Sequence, residues 1–339
     1  MANKSDDYLR NRWNEELSNT LLPNSVFLAI CIVIGIVGNV LVIFIYGLKL
    51  RGLKERYFIP ILALADLLAV CETSGFNISY NFNPVEYSHQ QLCKWSWFFG
   101  YLASCTSIFL LVVIAIQRYL KICRPFGSQM TLKWKRVAVL CSLLLATIIS
   151  IPIPLTYGLD PAYSEQYNVT GSACRRLTQE NRLLSLGHAI VCNIIVFVFV
   201  WLLVVLYTLI GRRIYAQIHQ WDKRKKSNTM SKEENPTKAN DPEAANKTNK
   251  QTMFRITFMF MLITFIFIIS FSPKVVIFIF ECLNDRFWDS LPYNTRLLVR
   301  FFDVLFIINN IANPFVYAFL DVKFSQQLKS IFCSLDYSL

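Results

Sequence analysis

The sequence predicts an all-α membrane protein in which seven helices cross the bilayer as a bundle. Of its 339 residues, 54% are hydrophobic and only 17% are charged, whereas a soluble domain carries about 25% charged residues. Seven apolar runs account for this composition, and their lengths suit the roughly 20 residues that a helix needs to cross a bilayer. The runs are residues 26–48, 58–76, 95–116, 137–159, 183–210, 256–280 and 297–320.

The runs are read as helices because a helix satisfies every backbone polar group within one segment, as lipid requires. The first run contains no charge, but three later ones do. A charged group at membrane depth is costly, so each is a candidate for function. They are Asp66 and Glu72 in the second run, Lys274 in the sixth, and Arg300 and Asp303 in the seventh.

Basic residues are concentrated in alternate loops. Residues 118–136 contain six Lys or Arg and no acidic residue, and residues 211–255 contain eleven basic and five acidic residues. Excess Lys and Arg marks the cytoplasmic side of a membrane protein, so the N-terminus is predicted to be extracellular and the C-terminus cytoplasmic. Because the net charge of +12 follows these loops rather than a single surface, no nucleic-acid partner is expected.

This orientation divides the chain into three parts. Residues 1–25 are predicted to form an extracellular N-terminal tail, residues 26–320 the membrane bundle, and residues 321–339 a short cytoplasmic tail. Within the bundle, residues 217–250 are rich in Lys, Asn, Glu and Ser. Such a composition cannot bury enough apolar surface to order itself, so a flexible third intracellular loop is predicted there.

Most of the ten cysteines lie in or beside the apolar runs, where a thiol behaves as a small apolar group. Cys93 and Cys174 lie on the predicted outer side, where oxidising conditions favour a disulfide; two unrelated thiols are the alternative. Cys333 either carries palmitate or packs as an ordinary thiol at the inner membrane surface. The sequons at Asn3 and Asn168 are predicted glycosylation sites on the outer side.

Five of the predicted helices carry short motifs. These are Gly38-Asn39-Val40 in the first, Leu64-Ala65-Asp66-Leu67 in the second, Gln117-Arg118-Tyr119 in the third, Phe271-Ser272-Pro273 in the sixth and Asn313-Pro314-Phe315-Val316-Tyr317 in the seventh. In order, spacing and placement they resemble the rhodopsin-like (class A) G-protein-coupled receptors over about residues 26–333. The resemblance implies a short amphipathic eighth helix around Phe324, coupling to a heterotrimeric G protein, and a place in the plasma membrane in contact with lipid.

In that family the aspartate of the second helix lies in a pocket that holds sodium and water and collapses on activation. The surrounding residue types are present here, as Asn39, Ser107, Asn309 and Asn313 around Asp66. A carboxylate at this depth needs polar partners in any case, so a purely structural polar cluster is the alternative. No cofactor is expected apart from an allosteric Na⁺ ion at Asp66.

The resemblance also implies a set of residues that switch between the inactive and active states. These are Gln117, Arg118, Tyr119, Tyr207, Phe267, Phe271, Pro273, Pro314 and Tyr317. Arg118 is restrained when the receptor is inactive and meets the G protein when it is active. Gln117 replaces the usual acidic residue, and Met253 stands where an acidic partner is often found. Loss of two carboxylates weakens charge-assisted pairing to Arg118 and predicts raised basal signalling.

Phe271 also departs from the family pattern, since a Trp is usual at this position. It is either an aromatic switch or an ordinary core residue. Pro273 is retained, and it should still kink the sixth helix because proline removes one backbone hydrogen bond.

The outer third of the bundle carries the candidate ligand-binding residues, which are Glu72, Tyr101, His188, Lys274, Glu281, Arg300 and Asp303. Mixed charges beside aromatic rings suit a peptide, so a neuropeptide is the predicted ligand, with the outer loop 157–185 forming a hairpin lid. Gly100 stands where amine receptors have an Asp. Ile307 stands where opsins have the Lys that binds retinal.

The sequence bears on three other functions. A small acidic metabolite or lipid, anchored by Lys274 or Arg300, is the main alternative ligand; Lys274 paired with Asp303 instead is the alternative for that residue. A transporter or channel is more remote, since the polar residues of the runs stop at Asp66. An enzyme is not expected, because the three histidines lie in different segments and the chain has no metal-ligand spacing, nucleophile motif or phosphate loop.

Overall fold

The structure, a computed structural model, describes residues 4–50, 52, 54–177, 182–229, 242–284 and 286–336. Within these residues, six helices are long and apolar enough to cross a membrane, and one bent pair supplies a seventh span. The predicted seven-helix fold is confirmed. The helices are α1 (Lys4–Phe44), α2 (Ile59–Phe82), α3 (Gln90–Cys123), α4 (Leu132–Ser150), α5 (Ile153–Thr156), α6 (Arg182–Thr229), α7 (Pro242–Leu283), α8 (Phe287–Ser290), α9 (Tyr293–Val304), α10 (Ile307–Leu320) and α11 (Val322–Asp336).

The first helix begins far ahead of its apolar run. α1 starts at Lys4 and passes through Pro23 without ending, so residues 4–25 of the predicted N-terminal tail are helical. Trp13 and Leu17, which share one helix face, pack in an apolar cluster that includes Val85 and Val169. This contact fixes the polar part of α1 against the outer loops.

The fourth helix ends earlier than the apolar run over residues 137–159 predicts, so the prediction is wrong at that end. α4 stops at Ser150, and Pro152 and Pro154 introduce the separate turn α5, because proline cannot supply a helix hydrogen bond. Strands β1 (Tyr157–Ser164) and β2 (Val169–Arg176) then pair as the predicted antiparallel hairpin. Asn168 at its turn has a φ of 54°, which Asn tolerates better than most residues.

The predicted loop 217–250 is helical at both ends. α6 continues to Thr229 and α7 begins at Pro242, and residues 230–241 between them lie outside the described residues. The polar stretches 217–229 and 242–250 lengthen the two helices beyond their apolar runs. Their Lys, Arg, Gln, Glu and Ala residues favour a helix by intrinsic propensity.

The seventh span is bent by 48° between α9 and α10. At the bend, the amides of Ile308 and Asn309 donate to carbonyls only three residues back, at 2.9 and 3.1 Å, so a tighter turn interrupts the helix. Asp321 then starts α11, because its Oδ1 accepts the backbone N–H of Lys323 at 3.0 Å and satisfies a free helix donor. Helix α11 is the expected short eighth helix.

Candidate functional site

A cavity of about 120 Å³, the deep cavity, lies between the outer halves of α2, α3, α6, α7 and α9. Its walls are mostly apolar and aromatic. Trp97 and Tyr101 of α3 and Phe271 of α7 contribute rings, while Lys274 and Asp303 are the charged side chains among its described lining residues. Such a cavity suits the burial of an apolar ligand group beside one pair of charges.

The charges of the deep cavity are paired within the protein. Lys274 Nζ donates to Asp303 Oδ1 at 2.5 Å, and Arg300 Nη1 lies 3.6 Å from Asp303 Oδ2. The ammonium also lies 5.8 Å from the centre of the Trp97 ring, within range of a cation–π attraction. The pairing of Lys274 with Asp303 that sequence analysis left open is therefore present, and a ligand acid must compete with it.

Of the remaining ligand candidates, Tyr101 lines the cavity, whereas His188, Glu281 and Glu72 lie outside its described lining. Tyr101 contacts the Tyr157 hydroxyl at 3.1 Å, and His188 Nε2 lies 2.9 Å from the Ile149 carbonyl. Glu281 accepts the Trp288 indole N–H at 2.5 Å. Glu72 is half-buried on α2, outside the described lining.

Asp66 is completely buried near the middle of the bundle. Its Oδ1 accepts the Ser107 hydroxyl at 2.8 Å, and its Oδ2 accepts the Asn313 amide at 2.6 Å. Asn39 makes no hydrogen bond to Asp66. The side-chain amide of Asn39 instead donates to the carbonyls of Gly35 and Asn310, both at 3.0 Å. Asn39 thereby ties α1 to α10.

The Asp66 cluster, which is Asp66 with its partners Ser107 and Asn313 and with Asn309 one helical turn before Asn313, offers oxygen ligands that suit a small hard cation. Among the described residues, no basic side chain hydrogen-bonds to this carboxylate, and Asn309 Oδ1 is a buried oxygen without a hydrogen-bond partner. A buried charge without compensation is costly. Carboxylate, hydroxyl and amide oxygens are also the hard ligands that small cations prefer.

Arg118 is only 1% exposed at the inner end of α3. Its Nη2 donates to the Glu55 carbonyl at 2.7 Å, and its guanidinium lies 4.9 Å from the centre of the Phe260 ring. Within the described chain, Nε and Nη1 have no hydrogen-bond partner. The Glu55 carboxylate pairs with Lys121. Burial raises the pKa of Glu55, but Lys121, Arg118 and Arg56 together outweigh burial and hold that pKa below its usual value.

The other switch residues connect the deep cavity to this inner end. The Phe271 ring lies 5.6 Å from Phe306 and 5.3 Å from Phe267, so the cavity wall continues into the core. Tyr207 and Tyr317 are buried in that same core cluster. Tyr119 and Gln117 are, respectively, half-buried and buried on α3, while Pro273 and Pro314 lie inside α7 and α10.

A second buried ion pair, missed from sequence, joins the first inner loop to the end of the bundle. Arg56 donates to both carboxylate oxygens of Asp321, at 2.6 and 2.9 Å, and the Tyr46 hydroxyl donates to the same carboxylate at 2.8 Å. Asp321 therefore anchors the loop and caps α11 at once. A sequence separation of 265 residues hid the contact.

The covalent features are placed as follows. Cys93 and Cys174 form the predicted disulfide, with their Cα atoms 5.8 Å apart. Asn168 is exposed at the hairpin turn, and Cys333 is exposed on α11. Asn3 lies outside the described residues. Glycosylation and palmitoylation at these positions stay predictions.

The order of these residues matches a known family. Residues 38–317 match the family described as 7 transmembrane receptor (rhodopsin family). The tachykinin-like peptides receptor 99D of Drosophila melanogaster is 23% identical over 307 residues, which cover 87% of this chain and 54% of that receptor. Neuromedin-U receptor 2 of Rattus norvegicus is 23% identical over 341 residues, which cover 97% of this chain and 80% of that receptor. A GQ-coupled rhodopsin of Mizuhopecten yessoensis is 26% identical over 312 residues, which cover 89% of this chain and 58% of that rhodopsin.

The chain therefore spans between about half and four fifths of the length of these curated relatives. The family match runs from the first helix to the end of the seventh, across the deep cavity, the Asp66 cluster and Arg118. This protein belongs to the rhodopsin family of seven-transmembrane receptors.

Proposed function

We propose that this protein is a cell-surface receptor that an extracellular peptide activates and that signals through heterotrimeric G proteins. The observation that carries the ligand class is a wide outer cavity of about 830 Å³, the vestibule. Its walls come from α1, the hairpin and the segment 286–296, and they include Trp13, Asp160 and Arg175. Mixed charged and aromatic walls suit the backbone and side chains of a peptide.

Two further points support a peptide over a small acid. Lys274 is already neutralised by Asp303, so a carboxylate entering the deep cavity would have to displace a buried aspartate. Two of the relatives are also named as receptors for tachykinin-like peptides and neuromedin U.

The orientation in the plasma membrane rests on chemistry at the two ends of the bundle. The Cys93–Cys174 disulfide and the vestibule share one end with Asn168, and a disulfide requires the oxidising side. Arg118 and the basic loops lie at the other end. The N-terminus is accordingly extracellular, and the inner end meets the G protein.

Activation follows from a shift between two arrangements. A ligand can move the equilibrium only if it binds the active arrangement more tightly. Contraction of the deep cavity would press on Phe271, which contacts both Phe267 and Phe306. Movement of α7 about Pro273 would then separate Phe260 from Arg118 and expose the arginine to the G protein.

The Asp66 cluster belongs to the inactive arrangement in this proposal. Asp66, Ser107 and Asn309 are the residues that would hold a sodium ion. When bound, the ion would supply the positive charge that the buried carboxylate lacks. Repacking of Asn313, which already bonds to Asp66 at 2.6 Å, would close the cluster on activation.

The test is second-messenger output in transfected cells, with calcium and cyclic AMP measured together. A neuropeptide library is applied beside panels of amines and organic acids, and Arg118→Ala serves as the control at matched surface expression. We expect a peptide to give a response that Arg118→Ala abolishes. A response to organic acids alone, lost in the same control, would overturn the peptide assignment.

The Lys274→Met variant separates the two ligand classes. An acid anchored by Lys274 should lose its response completely, whereas a peptide with many contacts should lose about tenfold in potency, the scale of one contact among several. Lys94→Met is the matched control, since Lys94 lies at the outer end of α3 outside the described lining of the deep cavity. The potency of either ligand on Lys94→Met should equal its potency on the unmodified receptor.

A further inference from the structure

The polar groups of the deep cavity are neutral apart from one internal ion pair. Lys274 and Asp303 are the charged residues among its described lining, and they hydrogen-bond to each other at 2.5 Å. The rest of the described polar lining consists of hydroxyl, amide and indole groups, which include those of Asn77, Trp97 and Asn193. Because the charges of the pair cancel, the lining has no free charge to offer a ligand.

Asn77 of α2 has an unused amide oxygen. Its side chain lines the deep cavity and is 7% exposed. Its Nδ2 donates to the Thr73 carbonyl, one helical turn back, at 2.8 Å. Within the described chain no group donates to Asn77 Oδ1. A buried acceptor without a donor costs free energy, so an N–H group of a ligand would satisfy this oxygen.

Asn193 of α6 repeats this arrangement on another wall of the deep cavity. Its Nδ2 donates to the Ala189 carbonyl, again one turn back, at 3.0 Å. Its Oδ1 likewise has no donor among the residues that the structure describes. Because each amide nitrogen is engaged by its own helix, the oxygens of Asn77 and Asn193 are the atoms left for a ligand.

The same cavity also has an unused donor. Trp97 Nε1 of α3 is buried and finds no acceptor in the described part of the chain. The Trp97 ring lies 5.5 Å from the ring of Phe76, the neighbour of Asn77 in the chain, so this donor and the Asn77 oxygen belong to adjoining walls. An indole nitrogen can only donate, and a carbonyl oxygen would satisfy it.

The size and the polarity of the deep cavity together indicate the chemistry of the ligand group. An apolar cavity of roughly 150 Å³ takes up a benzene ring, so about 120 Å³ suits one ring-sized group with a small polar end. A carboxamide supplies N–H donors and a carbonyl acceptor in one neutral group. A carboxylate has no N–H group for the asparagine oxygens, and its charge would stay uncompensated among mostly apolar walls.

We propose that the deep cavity binds a primary carboxamide of the ligand and rejects the corresponding carboxylate. Asn77 and Asn193 accept the amide N–H bonds, and Trp97 donates to the carbonyl oxygen. The inference deepens the proposed function and rests on it only for the source of the group, which is either the amidated C-terminus of a peptide or an Asn or Gln side chain.

Three small molecules of nearly equal size test the site without a known peptide. Benzamide carries the carboxamide, acetophenone has the carbonyl but no N–H group, and benzoate carries the charge. Each is titrated at millimolar concentrations into the purified receptor in lipid nanodiscs, and its dissociation constant is taken from the rise of the thermal denaturation midpoint. We expect benzamide to bind about two- to tenfold more tightly than acetophenone, the scale of one neutral hydrogen bond, and benzoate to cause no rise.

Two independent variants assign the hydrogen bonds. Asn77→Ala and Asn193→Ala should each weaken benzamide by about two- to tenfold and leave acetophenone unchanged, since acetophenone has no N–H group to lose. Asn83→Ala is the matched control, because Asn83 also donates one turn back on α2, to the Ser79 carbonyl at 3.4 Å, but is exposed outside the described lining. It should change neither dissociation constant.

Trp97→Phe, which removes the indole N–H, should weaken benzamide and acetophenone alike, with Trp95→Phe as its control on the exposed side of α3. Benzoate binding as tightly as benzamide, no binding of benzamide, or a loss in the asparagine variants that is equal for benzamide and acetophenone would each overturn the carboxamide site.

A peptide that activates the receptor then identifies the source of the group. Its C-terminal amide is exchanged for the acid, and in separate peptides each Asn or Gln is exchanged for Asp or Glu. Loss of potency in one exchange names the source, and full potency in all of them would overturn the inference. If no peptide activates the receptor but benzamide binding depends on Asn77 and Asn193, the peptide assignment fails and the carboxamide site stands.

Discussion

Arg118 is buried with only part of its hydrogen-bonding capacity used. One nitrogen donates to the Glu55 carbonyl at 2.7 Å, while Nε and Nη1 find no partner among the described residues. A buried, charged donor without an acceptor costs free energy. Arg118 is held here by a carbonyl and an aromatic ring rather than by a carboxylate, which leaves it weakly restrained.

This environment gives the basal signalling prediction its physical basis. Gln117→Asp places a carboxylate beside Arg118 and should lower basal signalling by up to about tenfold, the scale of one hydrogen bond between charged groups. Basal cyclic AMP or inositol phosphate, normalised to surface receptor, is the measurement. Gln117→Asn has the same size without the charge and should not lower the signal. Equal basal output from the Asp and Asn variants would contradict the prediction.

At the scale of elements, the ion pair between Arg56 and Asp321 fixes the inner end of the bundle. The two side chains are 6% and 0% exposed, and Tyr46 completes the carboxylate's partners. Removing one member of a buried pair leaves the other charge uncompensated. The cost is typically about 3–5 kcal/mol.

Arg56→Met should therefore strongly lower the thermal denaturation midpoint of the purified receptor. The Arg56→Met/Asp321→Asn double variant should recover part of the loss, because no unpaired charge remains. Arg12→Met is the control, since Arg12 pairs with Glu16 on the exposed part of α1 and such surface pairs contribute about 0–1 kcal/mol. An Arg56→Met midpoint no lower than that of Arg12→Met would rule out an anchoring role.

The helices that cross the membrane could be predicted because bilayer thickness sets their length, but their ends could not. Residues 4–25 carry no apolar run, and α1 extends through them because Trp13 and Leu17 find partners on distant loops. The end of α4 and the bend before α10 likewise depend on local turns within an apolar stretch. Hydropathy reports burial in lipid, and it does not report where a helix ends or bends.

The polar cluster was predictable for a different reason. Asp66, Ser107 and Asn313 fall at family spacings, and the structure brings them within hydrogen-bonding distance. The contact of Arg118 with Glu55 joins residues that are 63 positions apart in the chain, and the contact of Arg175 with Asp289 joins residues that are 114 positions apart. A contact between residues so far apart in the chain leaves no periodic signal, so only the folded structure places these residues.

At the scale of the whole molecule, buried and partly buried side chains connect the deep cavity to the core of the bundle. The path runs from Lys274 and Asp303 through Phe271 and Phe267 to the core that contains Tyr317. Spatial continuity alone is not coupling. Coupling is a free energy between two sites, and it must act equally in both directions.

Sodium provides a way to measure that coupling without a known ligand. If the Asp66 cluster holds sodium in the inactive arrangement, sodium should lower basal nucleotide exchange on the G protein relative to choline at equal ionic strength. A coupling of 1–3 kcal/mol, the usual range, corresponds to about 5–150-fold in the equilibrium. Asp66→Asn removes the charge that the ion balances, so its basal exchange should be the same in both salts. Ser107→Ala keeps the carboxylate and should retain a weaker sodium effect.

Equal exchange in sodium and choline for the unmodified receptor would refute the sodium site. A sodium effect that survives in Asp66→Asn would move the site away from this carboxylate.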